Sequence, residues 1–546
     1  MTDSAEHSLQ KSSLGSSTTL VEAAVADLQA RRTVERIWER DHTVWRPQPA
    51  EIANRLGWLD VSDTMREQVP ALEAFAREIR DAGFRHAVLL GMGGSSLGPE
   101  VLRRTFGSAD GYPELIVLDS TVPSWINMVK EAIDPARTLF LVSSKSGSTI
   151  EPLSFYSYFR RLVEQHTGSE GAGGNFVAIT DPGSSLEKLG HEQGFRRVFP
   201  NPPDIGGRYS VLSYFGLVPA ALTGIDIGKL LDRADLMRED CASSVSAHDN
   251  PGAWLGAVMG ALARAGRDKL TLVASPSIAA FGLWVEQLIA ESTGKEGTGI
   301  IPVTGEPILA TEHYGDDRLF VYLRVENDDN EATDVAMDRL KASGHPIVRL
   351  DLRDPYDLGG EFWRWEFATA VAGAVLDIHP FDQPNVQQAK DLTDSVLQNY
   401  LASGGLPEVE AGSSVDDLLS QASPGDYLSI MAYVRQTPEV NQSLEDLRQR
   451  VMERHSIATT LGYGPRFLHS TGQLHKGGPN TGLFLQITGD QPKDLPIPGQ
   501  PYSFGVLAEA QALGDLQALL DLGRRVARVH LSSEDAAAAI GKLVRG

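Results

Sequence analysis

Short apolar runs recur along the chain, each followed by a polar loop and then by a stretch with apolar residues three and four apart. HAVLL (86–90), ELIVLD (114–119), TLFLV (138–142) and NFVAIT (175–180) form one such series. KLTLVAS (269–275), RLFVYLRV (318–325) and HPIVRLDL (345–352) form a second. Strands that alternate with amphipathic helices predict parallel sheets with helices on both faces. The expected fold is therefore α/β, with two doubly wound parallel-sheet domains at 60–200 and 255–402. A helical segment (21–59) precedes the first domain, a helical connector (201–254) joins the two, and SGGLPEVEAGSS (403–414) reads as a linker. A C-terminal α/β extension (415–546) follows, with YLSIMAYV and GLFLQIT as strands and a proline-rich loop at 489–502. Residues 1–20 read as a disordered tail.

Composition narrows the function. The chain has 546 residues and a formal charge of −23, which disfavours nucleic acid or an anionic membrane as partner. Any anionic ligand must be held by a local site working against the global field. A single cysteine, Cys241, excludes an intramolecular disulfide and points to a reducing compartment, the cytoplasm. Neither a signal peptide nor an apolar run long enough to span a bilayer is legible.

Two loops stand beyond the carboxyl ends of predicted strands, where doubly wound sheets bind ligands. In SSKSGSTIEP (143–152), Ser144, Ser146 and Thr149 offer hydroxyls and Gly147 permits close backbone approach. The loop opens a helix, whose free N–H groups and dipole suit a phosphate. The competing reading is an ordinary helix cap, since Ser and Thr favour caps anyway. GMGGSSLG (91–98) fails as a dinucleotide fingerprint, because Ser96 stands where the third glycine belongs. Gly94-Ser95-Ser96-Leu97-Gly98 also fits a nucleophile elbow, a reading that leaves the second loop unexplained.

Helix 277–293 carries Gln287 and Glu291 on one face, with Glu291 near the helix C-terminus, where the dipole disfavours a carboxylate. Such a setting pushes a carboxyl toward a useful general base, the competing reading being an exposed surface glutamate. Arg208 in GGRYS (206–210) follows two glycines and can offer a guanidinium to an oxyanion. His379 with Asp377 and Asp382 reads as a polar loop, since no complete set of metal ligands accompanies it.

Taken in order, GMGGSSLGP, SSKSGSTIE, GGRYS, QLIAESTGK and PFDQP resemble the phosphoglucose isomerase family, built from paired sugar-isomerase domains. The resemblance implies reversible conversion of glucose 6-phosphate and fructose 6-phosphate through an enediolate, with no metal or organic cofactor. It implies that Ser144, Lys145, Ser146 and Thr149 bind the phosphate and that Gly94 and Ser95 line the sugar site. Glu291 is then the base, with Gln287 beside it and Arg208 facing the enediolate. The family's ring-opening histidine is missing between Lys295 and Pro380. FLHSTGQLHKGGP (467–479) supplies it instead, resembling the isomerase half of transaldolase fusions, with His469 the better match and His475 its rival. Lys390 in VQQAK matches the family's substrate lysine. The histidine often comes from a second subunit in that family, so a homodimer is expected. Activity on mannose 6-phosphate, and a non-catalytic sugar-phosphate sensor, are the alternatives.

Overall fold

The computed structural model describes residues 12–407, 412–532 and 535–543. Three parallel sheets organise it. The first holds β1 (His86–Gly91), β2 (Glu114–Leu118), β3 (Thr138–Ser143), β4 (Phe176–Thr180) and β5 (Arg197–Pro200), in the order β2-β1-β3-β4-β5. The second holds β6 (Lys269–Ala274), β7 (Ile301–Thr304), β8 (Arg318–Val325) and β9 (Ile347–Leu352), in the order β7-β6-β8-β9. In the third, β10 (Tyr427–Tyr433), β11 (Ala458–Tyr463), β12 (Gly482–Gly489) and β13 (Arg525–Leu531) repeat that order as β11-β10-β12-β13. The C-terminal extension is thus a third doubly wound unit in its own right.

Strand periodicity explains how the first sheet is covered. Ala87 and Leu89 of β1 enter one apolar core, shared with the N-terminal helices and the second unit. Val88 and Leu90 face a second core, shared with the helix Ile150–Thr167 and with Phe504, Leu507 and Leu513 of the third unit. In the main core, the helices Pro251–Arg264 and Leu358–Leu376 are buried along almost their whole length, as expected of helices apolar all round. They meet closely because Gly256 and Gly260 sit one turn apart. A Cβ at Gly256 would lie 2.5 Å from the Ala368 carbonyl oxygen, and one at Gly260 2.7 Å from Val375.

The second and third units are joined at a seam between two edge strands, β7 and β11. Arg448, on the helix Pro438–His455, donates to the carbonyls of Gly305 (2.6 Å) and Thr304 (3.0 Å). The Thr459 N–H donates to the Glu306 carboxylate at 2.8 Å, and Glu306 also holds the buried Arg318 at 2.7 Å.

Two expectations need correction. The tail reading of 1–20 fails over its second half: Ser13 pairs antiparallel with Ile347 of edge strand β9, two backbone hydrogen bonds of 2.7 Å, and a helix begins at Thr18. An edge strand offers unpaired N–H and C=O groups, and Ser13 occupies some of them. Residues 21–59 are also only partly helical, in Thr18–Ala30 and Thr33–Trp38, after which short turns follow. Residues 1–11 and part of the expected linker, 408–411, lie outside the described residues.

Candidate active site

In the first sheet the strand order reverses between β1 and β3, and both loops singled out in the sequence leave from that point. The second sheet's equivalent point is closed by its own polar groups. Ser275 Oγ donates to Asn330 Oδ1 at 2.6 Å, and the Ser277 N–H donates to Asp328 at 2.9 Å. The second unit contributes to the site differently, through the C-terminal end of the helix Phe281–Thr293.

A cavity of about 460 Å³ opens where the first and third units meet. Ser146, Ser148 and Thr149 line it from the loop after β3, Lys390 from the helix Val386–Ser403, and His469, Lys476 and Gln511 from the third unit. The loop is held in shape by its own hydroxyls. Ser144 Oγ lies 3.0 Å from Thr149 Oγ1 and accepts from the Gly147 N–H at 3.2 Å. Thr149 stands at the head of the helix Ile150–Thr167, whose dipole and free N–H groups face an incoming anion. Lys145 departs from expectation. Its ammonium pairs with Asp181 and donates to the Pro203 carbonyl at 3.0 Å, so its side chain is turned out of the cavity.

Glu291 keeps 13% of its side chain exposed and lies 3.6 Å from the guanidinium of Arg208, itself almost wholly buried. Arg208 is fixed by Ser292 Oγ (2.7 Å), the Gln383 side chain (3.0 Å) and the carbonyls of Pro380 (2.8 Å) and Asp382 (3.0 Å). Buried Lys295 grips the same turn through the carbonyls of His379 and Asp382 at 2.7 Å each and the Asp382 carboxylate at 2.6 Å. Burial, followed by the neighbouring Arg208 charge, pushes the Lys295 ammonium down to about 8. Two cations thus lock the PFDQ turn against Glu291's helix. Gln287 Nε2 bridges Glu291 Oε2 (3.0 Å) and the His469 carbonyl (2.8 Å). Gln287 Oε1 is buried without a protein partner among the described residues, an acceptor suited to a sugar hydroxyl.

Gly94 and Ser95 are buried against this assembly. A Cβ on Gly94 would stand 1.9 Å from the Gly207 carbonyl oxygen, so glycine alone lets the β1 loop touch the Arg208 turn. Ser96 donates to the Gly93 carbonyl at 3.2 Å, and among the described residues no histidine addresses its hydroxyl, which disposes of the nucleophile-elbow reading.

His469 Nε2 lies 2.8 Å from Glu151 Oε1. Burial opposes ionisation of Glu151, but the His469 charge and hydrogen bond, with Lys390 beyond, hold its carboxyl below the ordinary value. The same oxygen accepts from Gln511 Nε2 at 2.7 Å, and Gln511 is oriented by Thr121 Oγ1 at 2.7 Å. His475 is instead buried, its Nε2 3.2 Å from Ser429 Oγ, and burial pushes it well below the ordinary imidazole value. Its ring packs beside Phe467 and Phe484. In the other histidine–carboxylate group, His379 meets the Ala50 carbonyl and the Phe381 N–H, Asp377 meets Arg46, and Asp382 meets Lys295.

Glu151, Lys295 and Gln383 carry no role legible in the sequence, although Glu151 and Lys295 close SSKSGSTIE and QLIAESTGK and Gln383 falls inside PFDQP. Gln511 and Arg466 had no motif to point to them. Their roles come from position alone.

The Gln511 link is testable. Gln511→Leu removes a donor from the Glu151 carboxylate, which raises that group's proton affinity and loosens its hydrogen bond to His469. The expected result is a loss of roughly tenfold in kcat, on the scale of a hydrogen bond to a charged group. The acid limb of kcat/KM moves to higher pH, and KM changes little. A uniform loss with an unmoved pH profile would assign Gln511 to packing only.

A serine-rich loop at the switch point, a carboxylate beside a buried arginine and a histidine–glutamate pair are thus brought together by the three units. The phosphoglucose isomerase model matches residues 58–304. Similar curated proteins are glucose-6-phosphate isomerases of Symbiobacterium thermophilum (30% identical over 407 residues, 65% of this chain and 88% of that one) and Rubrobacter xylanophilus (30% over 374 residues, 60% and 86%). The chain belongs to the phosphoglucose isomerase family. Among solved structures, a hypothetical protein of Thermus thermophilus superposes with a TM-score of 0.60 (24% identity, 70% of this chain and 98% of that one). A glucose-6-phosphate isomerase of Chlamydia trachomatis gives 0.55 (20%, 68% and 78%). Both share the fold.

Proposed function

We propose that these groups interconvert glucose 6-phosphate and fructose 6-phosphate, with Glu291 as the proton-transferring base. The phosphate takes no part in the chemistry. Bound by Ser146, Thr149 and the helix dipole behind them, it anchors the substrate and places the far end of the sugar at Glu291. His469, poised on Glu151 and facing Lys390, moves the proton that opens the ring. Glu291 then removes the proton from C2 of the aldose, and the electron pair forms the C1–C2 double bond of a cis-enediolate. Arg208 stabilises the negative oxygen as it develops. The hydroxyl proton passes from O2 to O1, and return of the carbon-bound proton by Glu291 to C1 gives the ketose.

The observation that carries this reading is the Glu291–Arg208 pair, joined through Gln287 to the backbone of His469, whose imidazole faces the serine-rich loop. The family relation supports the substrate pair. Among the described residues no helix is long and apolar enough to cross a membrane, and the one cysteine is a buried thiol, in keeping with a cytoplasmic enzyme.

The phosphate assignment has its own test. Thr149→Ala removes one hydroxyl donor to a dianion, an interaction of about 1.5–3 kcal/mol. KM for fructose 6-phosphate should rise roughly tenfold to a hundredfold. Inhibition by inorganic phosphate should weaken in proportion. Unchanged values of both would move the phosphate elsewhere.

A further inference from the structure

The histidine loop, 464–470, is held by all three units of one chain. At the first sheet, Arg466 makes a bidentate pair with Asp119, 2.7 and 2.8 Å, and Asp119 is fully buried just past the end of β2. Beside it Ser120 Oγ donates to the Gly464 carbonyl at 2.9 Å. From the second unit Gln287 donates to the His469 carbonyl, and from the third Gln511 shares Glu151 with His469. A carboxylate with no solvent exposure needs a dedicated cation, and Arg466 is that cation.

The path of the chain agrees. The helix Val386–Ser403 carries Lys390 into the cavity and runs on toward the third unit, where it packs along the helix Phe504–Asp521 that presents Gln511. The same element that brings Lys390 therefore leads to the unit that brings His469.

From this geometry we infer that the active site is completed in cis: each chain supplies its own His469 to its own Glu151 and Glu291. This departs from the shared site that family resemblance implies, and it rests on the functional reading given above. Asp119 and Arg466 act as positioning residues, fixing the loop from which His469 projects.

The test is complementation. Two differently tagged copies, one Glu291→Gln and one His469→Ala, are co-expressed and carried through both affinity steps, and the doubly tagged species is assayed for isomerisation of fructose 6-phosphate. Completion in cis predicts a mixed species as inactive as either parent. If no mixed species forms while the wild-type chain is active, the chain works alone and the inference also stands. Recovery of about half the wild-type rate, one intact site in each two-fold pair, would overturn it. Full activity in the His469→Ala parent by itself would instead remove the functional reading of His469, and this inference with it.

Discussion

Glu291→Gln should lower kcat by roughly 10²–10⁴-fold, the usual contribution of a positioned general base. The amide keeps the size of the side chain and an oxygen for the Gln287 donor, so folding and KM should change little. The measurement that isolates the step is isotope exchange. In D₂O the wild-type enzyme should place deuterium at C2 of the glucose 6-phosphate formed from fructose 6-phosphate. The variant should lose exchange and turnover together. Exchange at the wild-type rate in the variant would assign the base to another group. Arg208 is less informative to mutate, because its guanidinium also binds Ser292, Gln383 and two carbonyls of the PFDQ turn, and its loss would release that turn.

The second large effect comes from adding a single carbon. Gly94→Ala would bring a methyl group within 1.9 Å of the Gly207 carbonyl oxygen and 3.0 Å of the Arg208 backbone nitrogen. Both are main-chain atoms, so neither can rotate aside. The overpacking should cost about 1–3 kcal/mol, seen as a lower denaturant midpoint. The larger loss should be catalytic, because displacing a positioned charge by about 1 Å can cost on the order of 10²-fold. Gly207→Ala is the control for stability, since a Cβ there meets nothing within 4 Å. Equal stability of the two variants would mean that the β1 loop and the Arg208 turn can part without penalty.

The sequence was most legible where burial is two-sided. β1, β3, β4, β6, β8, β10 and β12 announce themselves as apolar runs, and the edge strands β2 and β9 do so as well. The four strands that escaped notice, β5, β7, β11 and β13, all lie at the edge of a sheet. An edge strand is short or carries polar residues on its open side, as RVFP and RVARVHL do, and the apolar signal falls below that of a loop. The site shows the same division. Ser146, Thr149, Gln287, Glu291 and Arg208 stood in motifs with a chemical rationale. Glu151 and Lys295 stand in the same motifs, but their roles are not local, because the carboxylate's partner and the ammonium's acceptors lie far along the chain. The Glu151–Gln511 bond spans 360 positions and the Asp119–Arg466 pair spans 347, separations that no local pattern encodes. The outward turn of the Lys145 side chain has the same origin, since Asp181 captures its ammonium from the next strand's loop.

The seam between β7 and β11 also bears on how the molecule unfolds. Hydrogen bonds that involve a charged group cross it, from Arg448 to Thr304 and Gly305 and from Thr459 to Glu306. At about 1.5–3 kcal/mol each, their sum is comparable with the whole free energy that separates a typical domain from its denatured ensemble. The second and third sheets should therefore melt as one cooperative block, so that heat abolishes the histidine's placement and the glutamate's helix in a single transition.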